Sequence, residues 1–504
     1  MGLPIRSGKK ALEYLTIFYM GAAILCQELR MCYFAYHFLP LTKLLHHAEA
    51  FMIWAGLVLT ALNILFGTGW RKSRRVFLLY GICLLDAMAS FRAAGGLEPA
   101  WQQRLKCEIG ILVLFYCAAQ SVRADLLGRL LHRFYWFGLL FWSMMCCLSL
   151  CQFALMIGID GTRIASFPPL KGLGYYGHRL YGTFNTLEYG TVTSLMIMLA
   201  GGYWFVKTHI RAERILLALC NVPLLFYLVL SGSRNAQLAL YLSLFLGAGI
   251  VCFKSSIASR ILGKKRLMAM MVALAVVAVA HLGYIAIQRA AERIPELFSD
   301  YSGFLARDSS VQDPSVDESE GTSDGEAEPE SRLLERIDTK GDISTNRFSI
   351  WKDYIGLWRE YGPLGLSSTY DSRYIQEHHP DLFICEYIRE TNPEGYAMGR
   401  IYHPHNGYLK ILISTGYLGF AFLMVFLFGS VKDVWKAIRG CEKIRPELLF
   451  SLMMVAAGCS SAMFDLELFF VFNPISYLFW LALGVLMKQA GEGKKVETAE
   501  MMTK

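Results

Sequence analysis

The chain has 504 residues, of which 55% are hydrophobic and only 18% are charged, and its mean hydropathy is +0.38. This composition indicates a protein that folds in a lipid bilayer rather than in water. It excludes a soluble enzyme, a nucleic-acid-binding protein and a secreted disulfide scaffold. We therefore predict an all-α polytopic membrane protein.

Twelve apolar segments predict about twelve transmembrane helices. A charge-free window of 18 to 26 residues is long enough, as a helix, to cross roughly 30 Å of hydrocarbon. The eight charge-free windows are 50–70, 134–159, 189–206, 215–233, 235–253, 267–288, 411–431 and 468–487. The four weaker candidates are 14–27, 76–91, 109–122 and 448–464.

The distribution of lysine and arginine predicts the orientation in the membrane. Alternate loops, counted from the N-terminus, carry 27 of these residues, whereas the opposite short loops carry 8. Positively charged loops remain in the cytoplasm, so both termini are predicted to be cytoplasmic and the long loop 289–406 extracytoplasmic. That loop carries 12 basic and 23 acidic residues, so the net charge of +8 reflects topology. The N-terminus has no small-residue cleavage site, which predicts a retained first span.

These features predict four parts of the chain. They are an N-terminal bundle of about nine spans (1–288), the external loop (289–406), the C-terminal spans (407–488) and a cytoplasmic tail (489–504). Of thirteen cysteines only Cys385 lies in the loop, so no disulfide can form within it, and we expect the cysteines to be buried packing residues.

The first half of the loop is strongly acidic. Residues 308–330 contain no aromatic or basic side chain and are rich in Asp, Glu, Ser and Pro, so we expect them to be disordered. An acidic sensor or a cation-binding patch is the alternative interpretation of this insert.

The second half of the loop predicts a surface helix over 344–361. Phe348, Trp351, Ile355 and Trp358 recur at helical spacing and form one aromatic stripe, which we expect to rest on the membrane or on the spans. Ser344, Thr345 or Asn346 can cap its start, and Gly362-Pro363 ends it.

A histidine cluster, His403-Pro404-His405-Asn406, precedes the next apolar run. Gly416 and Gly419 predict that this run divides into a short helix of about 406–415 and a span proper. Two imidazoles at i and i+2 separated by proline do not match the helical i, i+4 spacing of metal ligands, although the polar cluster 377–381 could add ligands. The alternative is that these histidines are simply solvated.

A five-residue break, 231–235 (SGSRN), separates two charge-free spans and is predicted to lie outside. Arg234 in this break has two interpretations. A guanidinium can extend to the lipid headgroups, or its fork of donors can bind phosphate oxygens. The small neighbours leave room for a ligand.

Together these segments resemble the family of O-antigen ligases and Wzy-type O-antigen polymerases, which are polytopic membrane glycosyltransferases. The resemblance rests on SGSRNA (231–236), NRFSIW (346–351), YGPLGLSS (361–368) and HNGYLKILISTGYLGF (405–420). The segment Arg179–Asn185 is similar to another recurring stretch of that family. The acidic insert and the HPH extension are departures from the family pattern.

The resemblance implies a GT-C-like helical enzyme that transfers glycan from an undecaprenyl-pyrophosphate-linked donor to an acceptor hydroxyl. It implies no nucleotide sugar, no cofactor and no obligatory metal. By position His405 matches the family's loop histidine, and Arg234 and Arg347 match its external arginines. Arg179 matches less closely.

The residue types also suit that chemistry. An imidazole can remove the proton of an attacking hydroxyl, and fixed guanidinium groups stabilise a departing pyrophosphate. We therefore predict His405 as the base and Arg234, Arg347 and Arg179 as pyrophosphate ligands. Supporting roles, orienting the base or the sugar, are open to His403, Asn406 and Tyr408.

Acidic residues within or beside the spans are costly in lipid and are candidates for function or for structural pairing. Those nearest the outer face are the best candidates for contact with sugar: Glu188, Asp465 and Glu467.

A secondary transporter or a flippase of lipid-linked glycan would also fit twelve spans. The asymmetric 118-residue loop, the absence of visible repeated halves and the one-sided Arg and His residues favour the enzyme. A membrane scaffold with a receptor loop is a third possibility. We expect a polymerase rather than a ligase, because the chain offers no separate acceptor-binding domain.

Overall fold

The computed structural model of the chain describes most of its length. The described residues are 3–33, 35, 39–66, 75–94, 100–121, 124–160, 172–176, 179–184, 186–255, 265–298, 346–401, 403–441, 443–465, 468–470 and 473–503. Some sequence predictions fall outside these residues. They concern the acidic insert 308–330, the possible caps Ser344 and Thr345, Asn185 and Glu467.

The architecture is helical, as predicted. The N-terminal part contains α1 (Leu3–Arg30), α2 (Leu39–Phe66), α3 (Val76–Ala94), α4 (Ala100–Ser121), α5 (Ala124–Ala154), α6 (Leu187–Lys207), α7 (Arg211–Leu230), α8 (Arg234–Lys254), α9 (Lys265–Ala291) and α10 (Ile294–Leu297). The loop contains α11 (Arg347–Gly356), α12 (Trp358–Tyr361), α13 (Asp371–His378), α14 (Phe383–Thr391) and α15 (Pro393–Ala397). The C-terminal part contains α16 (Gly407–Gly440), α17 (Pro446–Ser461) and α18 (Pro474–Thr503).

Eight helices in the described part of the chain are long and apolar enough to cross a membrane. They are α2, α3, α5, α6, α7, α8, α9 and α16. The remaining predicted spans lie on helices too, namely α1, α4, α17 and α18. Each of the twelve predicted segments therefore overlaps a helix, and eight of these helices meet the length and hydropathy of a span.

A small antiparallel sheet was not predicted. Strands β1 (Gly158–Asp160), β2 (Gly172–Tyr176) and β3 (Arg179–Gly182) pair in that order between α5 and α6. Two hydrogen bonds fix this sheet to the bundle: the Tyr227 hydroxyl donates to Tyr181 O, and Thr183 N donates to Ser149 Oγ. The sheet places Arg179 at the start of β3.

Aromatic side chains fill the core of the bundle. Tyr116 on α4 packs edge-on against Phe426 on α16 and Trp480 on α18, with ring centroids 5.6 and 6.2 Å apart. All three side chains are almost fully buried. Edge-to-face aromatic packing lets three helices interlock without the hydrophobic drive that water supplies.

The long helix α16 breaks at Gly416, as the sequence predicted. Gly416 adopts φ 64° and ψ −164°, a conformation that glycine tolerates and other residues resist. The turn 362–365 inserts into this break: Tyr417 N donates to Gly362 O and Leu366 N donates to Ile413 O. The break thereby joins the external loop to the span.

The loop helices form a small core of their own, which buries other residues of the α11–α12 segment than those of the aromatic stripe. Ile350, Tyr354 and Tyr361 are buried, whereas Phe348 and Trp358 of the predicted stripe are 66% and 48% exposed. The helix also divides at Leu357 instead of running continuously to Tyr361. Trp351 lies near Phe464 and Trp358 lies near Tyr417 of α16, which agrees with the expectation that the stripe rests partly on the spans.

Ion pairs and buried carboxylates attach the loop to the bundle. Asp86 on α3 accepts 2.8 Å hydrogen bonds from both the backbone N–H and the hydroxyl of Ser368. Lys410 on α16 pairs with Asp371 on α13, and both side chains are almost fully buried. Asp86, a charge that the sequence left unexplained, thus has a structural role.

Candidate functional site at the N-terminal end of α16

The HPHN cluster forms a tight turn that leads into α16. Asn406 is the N-cap: its Oδ1 accepts from Tyr408 N at 3.0 Å and from Leu409 N at 2.9 Å. Such a cap satisfies donors that the first helical turn leaves open. Immediately before it, His405 adopts a positive φ of 42°, which is uncommon for a residue with a side chain. The turn therefore holds His405 in a fixed, costly conformation.

Three side chains meet at this turn. The rings of His403 and His405 are in contact, with centroids 3.8 Å apart and planes tilted by 42°, and His405 Nδ1 lies 3.7 Å from Asp465 Oδ1. The side chains of His405 and Asp465 are each 12% exposed, and His403 is exposed. The backbone N–H of His405 donates to His403 Nδ1 at 3.3 Å. An imidazole with an adjacent carboxylate is an arrangement suited to proton transfer.

The end of α17 is the point at which these elements converge. Gly407 N donates to Ala462 O at 2.7 Å, and the Tyr408 hydroxyl donates to Cys459 O at 3.0 Å. Asn235, at the start of α8, donates from Nδ2 to Ser461 Oγ at 2.9 Å. The helix that begins at Arg234 and the turn that holds His405 are therefore both attached to the residues 459–465.

Trp351 connects the loop helix α11 to the same turn. Its indole N–H donates to Pro404 O at 2.8 Å, and its ring lies 6.0 Å from that of Phe464. Arg347 lies four residues earlier on α11, at its first position, so it is one helical turn from Trp351.

Arg179 lies beside the break 231–235. Its Nη2 donates to Gly232 O at 3.5 Å, and its buried Nε makes no hydrogen bond to any described residue. Ser233 caps α8 by accepting from Ala236 N. The sheet thus places the Arg179 guanidinium, with its Nε donor, next to Gly232 in the break that contains Arg234.

The structure joins the predicted site residues to different degrees. His403 and His405 are in contact, and Asn406 and Tyr408 support the turn through the cap and the hydroxyl bond described above. Arg234 is exposed at the start of α8, and Arg347 is partly buried at the start of α11. Both arginines lie on elements that contact the turn or the end of α17.

The second polar cluster, 377–381, does not join the histidine turn. His378 stacks on Tyr374 with ring centroids 4.3 Å apart, and His379 Nε2 lies 2.8 Å from Glu360 Oε2. Both histidines therefore have partners within the loop, and neither belongs to the group formed by His403, His405 and Asp465.

Asp465 is the residue whose place the sequence analysis did not assign. It was one of three acidic residues expected near the outer face, and nothing in the spacing connected it to His405, sixty residues earlier. The available signal was its position: it follows directly after the apolar segment of α17, where a carboxylate needs a partner.

The structure brings the rings of His403 and His405 together, although their i, i+2 spacing does not match the helical spacing of metal ligands. Pro404 and the positive φ of His405 fold the two rings onto each other instead of separating them. In the described part of the chain, the potential ligand atoms of His403, His405 and Asp465 lie within 4.8 Å of one another.

Burial also changes the pKa values of ionisable groups in the loop core. Asp353 on α11 accepts from Ile384 N at 3.1 Å, yet burial raises the pKa of this carboxyl above its usual value. Burial likewise raises the pKa of the Cys385 thiol to about 11, so it stays protonated and unreactive at neutral pH. The single loop cysteine is a packing residue, as predicted.

A cavity of about 250 Å³ among the described residues lies elsewhere. It is lined by apolar side chains of α1, α5, α6, α17 and α18, and its rim includes Lys207 and Glu447. Glu447 is at the opposite end of α17 from Ser461. The cavity therefore does not border the histidine turn.

Membrane-length helices, with an imidazole and a carboxylate held at the end of one of them, define a multi-pass membrane protein with an enzyme-like site. Residues 219–424 match the family model described as O-Antigen ligase. This part of the chain is therefore similar to the O-antigen ligase family, in agreement with the resemblance that the sequence landmarks indicated. The matched segment contains Arg234, Arg347 and His405, whereas Arg179 and Asp465 lie outside it. No curated protein matches the chain.

Proposed function

We propose that the protein is a membrane glycosyltransferase that joins a glycan from an undecaprenyl-pyrophosphate-linked donor to an acceptor hydroxyl. The reaction takes place at the outer face of a bacterial plasma membrane, with both termini in the cytoplasm and the loop 289–406 outside. The observation that carries the proposal is the proximity of His405 and Asp465 at the N-terminal end of α16. Each of these two side chains is only 12% exposed.

His405 is the general base in this proposal. The acceptor hydroxyl attacks the anomeric carbon, its proton passes to the imidazole, and the bond from that carbon to the pyrophosphate oxygen breaks. Asp465 faces the imidazole and stabilises the imidazolium that forms, as an orienting carboxylate does in hydrolases. A positioned base of this kind contributes about 10²- to 10⁴-fold to a rate.

The arginines bind the pyrophosphate. Negative charge grows on the leaving oxygen during bond cleavage, so a fixed guanidinium stabilises the transition state more than the bound donor. Arg234 and Arg347 are assigned this role, because both lie on elements attached to the histidine turn or to 459–465. Arg179, with its unused Nε donor beside Gly232, is the third ligand.

The supporting residues act through structure. Asn406 and Tyr408 fix the start of α16, while His403 is exposed and lies against the base, where it can contact the sugar. The proposed step uses only side chains of the chain, with no cofactor and no metal ion in a chemical role. The polyprenyl tail lies among the apolar helices.

The domain division follows from the same proposal. The bundle 1–288 and the spans 407–488 hold the lipid-linked donor, the loop 289–406 covers the reacting groups, and 489–504 is a cytoplasmic tail. We favour a polymerase, in which the acceptor is another lipid-linked repeat, over a ligase.

A transfer assay tests this proposal. The protein is reconstituted in vesicles with a polyprenyl-pyrophosphate oligosaccharide, and glycan transfer or chain growth is measured for wild type, His405→Ala and Arg234→Lys. His378→Ala is the matched control, because His378 stacks on Tyr374 within the loop. We expect both site variants to lose at least about 100-fold in rate and the control to remain active.

Three outcomes contradict the proposal. Full activity of His405→Ala would show that His405 is not the base. Full activity of Arg234→Lys would show that transfer does not need a bidentate contact between Arg234 and phosphate. Movement of the glycan across the vesicle membrane without joining identifies a transporter instead.

A further inference from the structure

We infer that His403, His405 and Asp465 form a binding site for a divalent transition-metal ion of the Zn²⁺ type, and that the bound ion inhibits glycan transfer. The inhibition, though not the binding, rests on the proposed role of His405. The ligand set itself is read from the geometry of the turn.

The distance between His405 and Asp465 fits two ligands of one ion better than it fits a hydrogen bond. At 3.7 Å, His405 Nδ1 and Asp465 Oδ1 are beyond the usual hydrogen-bond range of about 2.7–3.2 Å. Zinc–nitrogen and zinc–oxygen bonds of about 2.0–2.2 Å place two tetrahedral ligands about 3.3–3.6 Å apart. The pair is therefore already spaced for an ion between the two atoms.

His403 completes a set of three. Its ring lies over that of His405, and the ligand atoms of all three residues lie within 4.8 Å of one another, so a contraction of roughly 1 Å brings them to zinc geometry. His403 is exposed and its hydrogen bond from His405 N is long, at 3.3 Å, so this ring can adjust at little cost. The exposed side also leaves the fourth position to water.

The chemistry of the donors selects the class of ion. Two imidazoles with one carboxylate suit Zn²⁺ and neighbouring transition metals, whereas Mg²⁺ and Ca²⁺ prefer oxygen ligands throughout. The arrangement is held rigidly, because Asn406 caps α16 and Trp351 binds Pro404, which fixes the turn on both sides of His405. Rigid support of ligands raises metal affinity.

A metal ion bound to His405 should block transfer, because it occupies a nitrogen lone pair of the imidazole. When Zn²⁺ coordinates His405 Nδ1, the neutral ring carries its proton on Nε2, so neither nitrogen can accept the proton of the acceptor hydroxyl and the cation competes with the base function of His405. Binding of Zn²⁺ therefore stops transfer without displacing the lipid-linked donor from the arginines.

Binding is tested without any glycan. ZnCl₂ is titrated into the purified full-length chain in detergent by calorimetry, for wild type, His403→Ala and Asp465→Asn. Two matched controls, His378→Ala and Asp381→Asn, remove a histidine and an aspartate from the same loop but away from the turn. We expect one ion per wild-type chain, at least about tenfold weaker binding in both site variants, and unchanged binding in the controls.

A spectrum of the wild-type protein provides a test that needs no variant. Replacing Zn²⁺ by Co²⁺ reports the ligand type, and we expect nitrogen and oxygen ligation without the thiolate charge-transfer band that a cysteine site gives. This check matters because exposed cysteines such as Cys147 and Cys151 offer a competing site.

Several results would overturn the inference: no stoichiometric binding, a cobalt spectrum with thiolate ligands, or an affinity that neither His403→Ala nor Asp465→Asn changes. If Zn²⁺ binds as expected but wild-type protein without metal shows no transfer, the site stands and the proposed function fails. If transfer occurs and bound Zn²⁺ does not slow it, the competition for His405 is wrong.

Discussion

The Trp351 indole N–H donates a 2.8 Å hydrogen bond to the carbonyl of Pro404, the residue that separates the two contacting histidines. This single bond connects the external helix α11 to the turn that carries the proposed base. Because Pro404 lies between His403 and His405, any movement of α11 is transmitted to both rings.

Trp351→Phe tests this connection. Phenylalanine keeps an aromatic ring next to Phe464 but leaves the Pro404 carbonyl without its donor, which costs about 1 kcal/mol. We expect a lower thermal unfolding temperature and a reduced kcat for glycan transfer. Phe348→Leu, on the exposed face of the same helix, is the control and should leave both unchanged in detergent. Equal effects of the two variants would show that the bond to Pro404 does not matter.

Asp465→Asn removes the charge beside His405 and preserves the size of the side chain. We expect kcat for transfer to fall by up to about 10⁴-fold, the loss found when the orienting aspartate of a serine-protease triad is replaced by asparagine. The KM for the lipid-linked donor should change little, because the arginines bind the pyrophosphate. Steady-state kinetics in vesicles measures the two constants separately. A change in KM alone would assign Asp465 to substrate binding instead.

Gly416→Ala should destabilise the protein by at least about 2 kcal/mol. A Cβ at Gly416 would lie 2.5 Å from Gly362 O and from Gly365 N, and the backbone there has φ 64°. The turn 362–365 would have to leave the break in α16, which shifts the start of that helix. Thermal unfolding of the purified protein measures the loss.

Gly356→Ala is the control for the glycine experiment. Gly356 lies at the end of α11 with no atom within 4 Å of an added Cβ, and alanine favours helix there. We expect unchanged or slightly higher stability. A Gly416→Ala protein that unfolds at the same temperature as Gly356→Ala would refute the tight packing of the break.

The buried pair Lys410–Asp371 should show strong coupling. Lys410→Met leaves the Asp371 carboxylate buried without its cation, which costs about 3–5 kcal/mol, whereas Lys410→Met with Asp371→Leu removes both charges and should recover much of that loss. The exposed pair of Arg373 and Glu377 is the comparison, and Arg373→Gln should cost less than about 1 kcal/mol. Thermal unfolding of wild type and these three variants measures the loss and its recovery. No recovery in the double variant would contradict the coupling.

The pH dependence of stability should carry a contribution from Asp353. Burial raises its pKa in the folded protein, so the folded state binds its proton more tightly than the unfolded state does. Stability from this group is therefore present at low pH and is lost as pH rises through the raised pKa.

Asp353→Asn keeps an oxygen to accept from Ile384 N but cannot ionise. Compared with wild type, we expect higher stability near neutral pH and a smaller dependence on pH between the normal and the raised carboxyl pKa. Unfolding temperatures are measured from about pH 4, near the ordinary pKa of a carboxyl group, to about pH 8. Asp353→Ala, which loses the acceptor, should be less stable than Asp353→Asn at every pH.

The sequence by itself determined the features that depend on neighbouring residues. Hydropathy over about twenty residues fixed the helical segments, because each must satisfy its own backbone in lipid. The break at Gly416 was predictable because the conformational freedom of glycine is also a local property. The match over 219–424 agrees with the resemblance that the short landmarks indicated.

Only the tertiary structure decided which distant residues meet. The encounter of His405 with Asp465 depends on how α16 packs against α17, and the contact of His403 with His405 depends on a positive φ that no hydropathy pattern records. The buried face of α11 was likewise chosen by the loop core, since either face of an aromatic helix can be covered. Contacts between residues far apart in the chain are set by the free energy of packing the whole molecule, and a single segment does not contain that information.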